Sequence, residues 1–411
     1  MTDTTIGDTV DADTAPFFPA PRSCPFDAPA AYTEFREEGG LHKVTIWDGS
    51  QHWLATRHAD IRTVLGSSAF SADVRTEGFP EVHAGMAREQ GGLFLRLDDP
   101  EHNRLRRMLT KEFSVKATAA MRDKLMEITD ELIDAMLASD KPVDIVRDFA
   151  LPLPSRAICD ILGVPYEDRE MFQEHANAGT DLSRDHSEPD DLHETSSEYY
   201  KRLVDLKRRE PGDDMISRLI RDHSGPDGFA PDVLPAVAGL LVGAGHETTA
   251  NMLSLGTLAL LLNDTERERL RDQPELATTT AEEMLRYWSI VSTDPRRIAL
   301  EDIEIGGQLV RKGEGVIVAL IAGNRDPRVF GDTADSLDIG RNARQHVAFG
   351  FGTHQCLGQN LARVEMQVAF PRLFERIPDL RLAIPVEDVA YRKNSIVYGL
   401  TSLPVTWGQD A

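Results

Sequence analysis

Apolar positions recur at helical spacing over most of the chain, and one stretch dominates them. Pro231–Leu262 keeps a helix-compatible pattern with almost no polar face. A helix of roughly 32 residues would be about 48 Å long. Being apolar nearly all round, it must run through an interior. Shorter helical patterns cover Pro29–Glu38, His58–Leu65, Asp98–Phe113, Ala117–Leu137, Leu151–Leu162, Glu167–Ala178, Glu194–Arg209, Ala281–Trp288 and Gln359–Glu375. The Asp98-Asp99-Pro100 start joins an acidic cap to a proline in the first turn. Strand-like text is scarce. Val44–Ile46 and Trp53–Ala55 read as a hairpin joined at Asp48-Gly49, followed much later by Arg297–Ile305, Gly315–Ala319 and Tyr398–Trp407. The pattern predicts a mainly α protein with small β-sheets.

The breaks in this pattern are informative too. Ser71–Phe94 carries four glycines and no sustained period, so a long loop is expected there, functional or mobile. The polar, acidic stretch Ser183–Asp190 and the irregular Asn324–Pro327 separate predicted elements. Pro16, Pro19 and Pro21 predict a flexible tail over residues 1–22, and no Pro/Gly/Ser-rich linker divides the rest, although 411 residues would ordinarily suit two or three domains.

Charge narrows the partners. The formal net charge of −23 argues against nucleic acid and anionic membranes. Against that background Arg104, Arg107 and Lys111 stand out, with no acid between Glu101 and Glu112. Three widely spaced cysteines imply no disulfide framework and fit a reducing cytoplasm. Met1–Ala15 lacks the basic and apolar regions of a signal peptide. The apolar runs Val233–Gly245 and Met252–Leu262 are interrupted by His246 and Glu247 and fall short of a bilayer span. A soluble protein is expected.

The chemistry concentrates in Phe349-Gly350-Phe351-Gly352-Thr353-His354-Gln355-Cys356-Leu357-Gly358. Glycines allow close backbone approach, and Cys356 then feeds a helix N-terminus whose partial positive charge favours a thiolate. Such a sulfur suits the axial position on a haem iron. A buried free cysteine in a glycine-rich turn is the bland alternative for an isolated Cys. Within the long helix, Ala244-Gly245-His246-Glu247-Thr248-Thr249 sets small residues beside a carboxylate and hydroxyls. This leaves room for something flat, where a packing feature or kink at the glycine is the rival reading. Glu283 and Arg286 share a helix face at i, i+3.

Four signals in fixed order, His102-x-x-x-Arg106, Ala244–Thr248, Glu283-x-x-Arg286 and the Cys356 loop, resemble the cytochrome P-450 family. The soluble bacterial type is the match, and within it the actinomycete group that oxidises secondary metabolites and xenobiotics. The resemblance implies one catalytic domain over residues 23–411, a triangular-prism fold around haem b, iron protoporphyrin IX, with Cys356 on the metal. It implies that His102, Arg106, Arg297 and His354 pair with the propionates, and that Ala244, Phe349, Gly350 and Gly358 border the cofactor. Glu247 and Thr248 become the acid–alcohol pair at the oxygen site. Glu283 and Arg286 become a structural lock, completed by Arg341 or His346. Phe79, Phe94, Leu240, Gly243, Val291 and Val397 are the implied substrate contacts. The activity implied is insertion of one atom of O2 into a hydrophobic steroid-, terpenoid- or macrolide-like compound or a xenobiotic by a monomer. Electrons would come from NAD(P)H through a ferredoxin reductase and a ferredoxin docking near Arg104, Arg107 and Lys111. A nitric-oxide reductase and a haem-binding non-enzyme are the rival readings.

Overall fold

The computed structural model describes residues 15–408 apart from residues 23, 87–89, 91–92, 183–190, 226–227 and 393–394. Its axis is the long helix Val233–Leu261, 29 residues whose last three turns are buried on every side. Helices Pro152–Leu162, Asp191–Arg209 and Gln359–Arg376 pack around it. Arg169–Thr180 and Ala277–Trp288 complete the shell. One large apolar cluster runs continuously through these helices, as the all-round apolar sequence requires. Among the described residues no helix is long and apolar enough to cross a membrane.

The strands gather at one side. Leu41–Thr45 and Gln51–Ala55 pair antiparallel, with Thr45 opposite Gln51, as the Asp48-Gly49 turn predicts. The sheet continues through Gly315–Val318, Arg296–Ala299 and Phe70–Ser71. Arg297 therefore sits on an interior strand, buried and aimed at the helical half.

Several boundaries differ from expectation, each for a local reason. Ala117–Leu137 divides into Val115–Ala119 and Arg122–Ala138, the first capped by the Ser114 hydroxyl accepting from the Ala117 amide. Apolar spacing persists across the break and so hides it. Arg297–Ile305 divides into Arg296–Ala299 and Ile303–Ile305, because the second half turns back at Gly306-Gly307 onto Gln308–Val310. Tyr398–Trp407 contributes only Pro404–Thr406 as strand. Asn324–Pro327 joins two short helices, Leu320–Asn324 and Pro327–Phe330. A helix not expected, Met215–Asp222, starts where Asp214 accepts from the Ser217 amide at 2.8 Å.

The tail also differs. Residues 1–14 and the Ser183–Asp190 stretch lie outside the described residues. Residues 15–22, however, are held. Thr45 donates to the Pro16 carbonyl at 2.9 Å, Phe18 donates back to Thr45 at 2.8 Å, and the Phe18 ring is buried against Tyr32, Val44 and Ile46. Prolines keep this stretch extended, which is the conformation a sheet edge accepts.

Candidate active site

The cysteine loop is built by contact with helix His58–Gly66. Gly352 adopts φ +75°, and a Cβ there would lie 2.5 Å from the Leu65 carbonyl, so a glycine is required. The Phe351 ring lies under the Arg62 guanidinium at 4.3 Å. The Cys356 amide closes the loop on the Phe349 carbonyl at 2.8 Å. Helix Gln359–Arg376 begins immediately afterwards, and the amides of Gly358 and Gln359 hydrogen-bond the Cys356 sulfur. Burial nevertheless pushes the thiol up, outweighing those amides and the Arg106 and Arg363 charges. The helix terminus does favour the thiolate, as expected, but burial outweighs it. A bound cation at the sulfur is what would ionise it.

Cys356 opens into a cavity of about 330 Å³. Ala244, Thr248 and Thr249 of the long helix border it, as do Phe349, Leu357 and Gly358 near the sulfur. His102, Arg106, Arg297 and His354 form its polar margin, in which the two arginines carry the charge. The two imidazoles stack with centroids 4.0 Å apart. Burial and the neighbouring Arg297 drive His354 down to about 2, and burial also lowers His102 and brings Arg297 down to about 10. The His102 Nδ1 is buried and faces the Asp99 carboxylate at 3.7 Å, too long for a full hydrogen bond. Asp294 also borders the cavity, but Arg96 and Arg296 engage it at 3.0 and 2.8 Å. Burial works against its ionisation, and the two guanidiniums prevail and hold it well below the usual carboxylate range. The margin is thus two guanidiniums, Arg106 and Arg297, lowered chiefly by burial, beside two imidazoles that burial keeps neutral. Such a set fits the two carboxylates of a haem above a Cys356 ligand.

On the long helix, Thr248 donates to the Ala244 carbonyl at 2.7 Å, which leaves its oxygen lone pairs toward the cavity. Thr249 borders the cavity as well and leans toward Glu365, so adjacency does not turn it away as expected. Glu247 does not line the cavity. It is buried and held by Arg392 and the Thr180 hydroxyl, the latter at 3.2 Å. Burial raises its pKa, and Arg392 and Thr180 pull the other way.

Glu365 was missed in the sequence. Both its oxygens are buried without a full hydrogen bond, and burial raises it to about 8, offset in part by Thr249. A carboxylate within the apolar run Val364–Phe370 was the available signal.

Phe94 and Leu240 line the cavity, whereas Phe79 packs separately with Val74, Met86 and Ile298. Val291 and Val397 bridge each other, and with Gly243 and Gly350 they lie outside the lining. Glu283 and Arg286 are fully buried and doubly paired at 2.7 and 2.8 Å. Arg286 also donates to the carbonyls of Asn324, Ala334 and Ser336. Arg341 is their third member at 3.3 Å. His346 instead binds Glu282 at 3.1 Å, where Arg363 joins at 2.5 Å and stacks over the Phe349 ring. Burial opposes ionisation of Glu282, yet these partners hold it at about 2. The basic cluster is partly neutralised, with Arg104 on Glu101 at 2.7 Å and Lys111 on Asp222 at 3.5 Å.

Comparison with known proteins agrees with this architecture. Residues 178–377 match the family model described as Cytochrome P450. The chain is 48% identical over 401 residues to cytochrome P450-SU2 of Streptomyces griseolus, covering 97% of this chain and 98% of that protein. The crystal structure of GfsF superposes with a TM-score of 0.88 at 44% identity, covering 96% of this chain and 100% of that one. The structure of mycinamicin VIII C21 methyl hydroxylase from Micromonospora griseorubida, bound to mycinamicin VIII, superposes with a TM-score of 0.90 at 39% identity, covering 95% and 100%.

Proposed function

The chain belongs to the cytochrome P450 family, and from that premise we propose that it uses haem b to insert one atom of O2 into a hydrophobic secondary metabolite. Its family relatives are P450 monooxygenases of the actinomycete group. The single observation carrying the reading is that Cys356 and Thr248 border one cavity whose margin is cationic. Haem, once bound, supplies the redox chemistry that activates O2, with electron density pushed from the cysteine sulfur.

This chain's residues do the rest. Arg106 and Arg297 would neutralise the propionates, and the His102 and His354 rings would donate to them. Two carboxylates there would offset the burial that now lowers Arg106 and Arg297. Thr248, its own proton spent on Ala244, accepts a hydrogen bond and so holds a proton donor or water against the reacting oxygen. Glu247 precedes it and connects through the partly exposed Arg392 toward solvent, the side from which protons are drawn. Phe94 and Leu240 supply apolar contact for the substrate. A relative named as a methyl hydroxylase supports hydroxylation as the outcome. An acidic ferredoxin, reduced by NAD(P)H through its reductase, would approach the face carrying Arg107. The free cysteines fit a cytoplasmic setting.

The deciding experiment is the spectrum of the reduced carbon monoxide complex. Cys356→Ser should lose the red-shifted Soret band, whereas Cys24→Ser and Cys159→Ala keep it. A retained band in Cys356→Ser would remove the thiolate assignment. Turnover with and without a ferredoxin system then tests the electron source.

A further inference from the structure

A second cavity of about 270 Å³ lies beside the first, between Leu93-Phe94 and the opening turns of the long helix. Its helix wall is Val233, Ala236, Val237 and Leu240, spaced i, i+3, i+4 and i+7, which is one continuous face. The same face continues through Ala244 to Thr248 in the first cavity. The two cavities share Phe94 and Leu240. The Phe94 ring is fastened by a stack on His102 at 6.1 Å. At the outer end stands Asp232, exposed and 3.8 Å from Lys201. An apolar stripe this close to the start of a buried helix would ordinarily be covered by another element. Here Ala236 remains exposed.

We propose that the second cavity is the outer half of the substrate site and that Phe94 is the partition between the halves. The inference rests on the monooxygenase reading and names its substrate class. The substrate has an extended apolar stem longer than the first cavity, oxidised at the end near Thr248 and reaching solvent near Asp232. From Thr248 to Leu240 the helix rises about 12 Å, and from Leu240 to Asp232 about 12 Å more. A compact substrate fills the first half only, and an elongated one turns Phe94 aside and buries its stem along Ala236.

The test is a series of 1-alkylimidazoles from methyl to dodecyl, titrated into the ferric holoenzyme and read by the Soret shift. Each methylene that becomes buried should tighten binding roughly fourfold. In Ala236→Phe, a bulky side chain at an exposed position blocks the outer half. Short members should bind as in wild type, while long ones lose the gain of their last carbons. In Phe94→Ala the gain should extend to longer members without a plateau. Unchanged long-chain affinities in Ala236→Phe, or an equal shift for every chain length in both variants, would overturn the proposal. A protein giving no Soret shift even with imidazole would sink the haem reading and this inference with it. That failure is distinct from a flat chain-length profile.

Discussion

Arg392 reaches from the C-terminal loop to the buried carboxylate of Glu247, and Thr180 at the end of helix Arg169–Thr180 binds the same group. The acid beside Thr248 is therefore a structural tie between three segments. Ile396 reinforces it by donating to the Thr180 carbonyl at 2.9 Å, and Ser292 donates to Ile396 at 2.9 Å.

Removing Arg392 leaves a buried carboxylate unpaired, and breaking a buried pair costs about 3–5 kcal/mol. Arg392 is partly exposed, so a loss of about 2 kcal/mol is the fair expectation for Arg392→Leu. Adding Glu247→Gln should restore much of it. Denaturant midpoints of the two singles and the double decide this, and strict additivity would show that the pair is not coupled.

Thr248→Ala should keep the haem and its spectrum yet divert reductant into hydrogen peroxide, because no oxygen lone pair then holds the proton donor. Product formed per reductant consumed should fall several-fold, toward the roughly 10²-fold range of a lost acid–base group. Thr249→Ala should leave coupling nearly intact, since Thr249 leans on Glu365. Equal coupling in wild type and both variants would count against Thr248.

Glu365 titrates near 8 when folded, against an ordinary 4.5. Between those values the folded protein keeps a proton that the unfolded chain has released. Stability therefore declines as pH rises through that window, and is fully present below it. At about 1.4 kcal/mol per unit, the decline is on the order of a few kcal/mol. Glu365→Gln should flatten it. Identical slopes for both proteins between pH 5 and 8.5, by chemical denaturation, would place the cause elsewhere.

Electron delivery should depend on Arg107 more than on Arg104. Arg104 is already paired with Glu101, whereas Arg107 donates to the Asn103 carbonyl. Arg107→Glu should slow reduction by an acidic ferredoxin several-fold at low salt, with the difference shrinking as salt screens it. Arg104→Ala should change the rate less. Stopped-flow reduction at two ionic strengths measures both, and a larger effect at Arg104 would remove this ranking.

The sequence by itself determined whatever is encoded locally. The ten residues ending at Gly358 carry their own glycines and cysteine and lead into a helix, so the loop and its cysteine were legible without a fold. All-round apolarity marked Val233–Leu261 as the interior axis, and the i, i+3 spacing of Glu283 and Arg286 placed both on one face. Periodicity says which face is buried but not against what. Tertiary structure alone decided that Arg341 rather than His346 completes that pair, that Arg392 closes on Glu247 from 145 residues away, and that residues 15–22 lie on the sheet edge. It also decided that Glu365 meets Thr249 beside the cavity, and that Phe94 stands between two cavities. Each depends on segments brought together by the packing of the whole core, and such partners leave no trace in the spacing of residues along the chain.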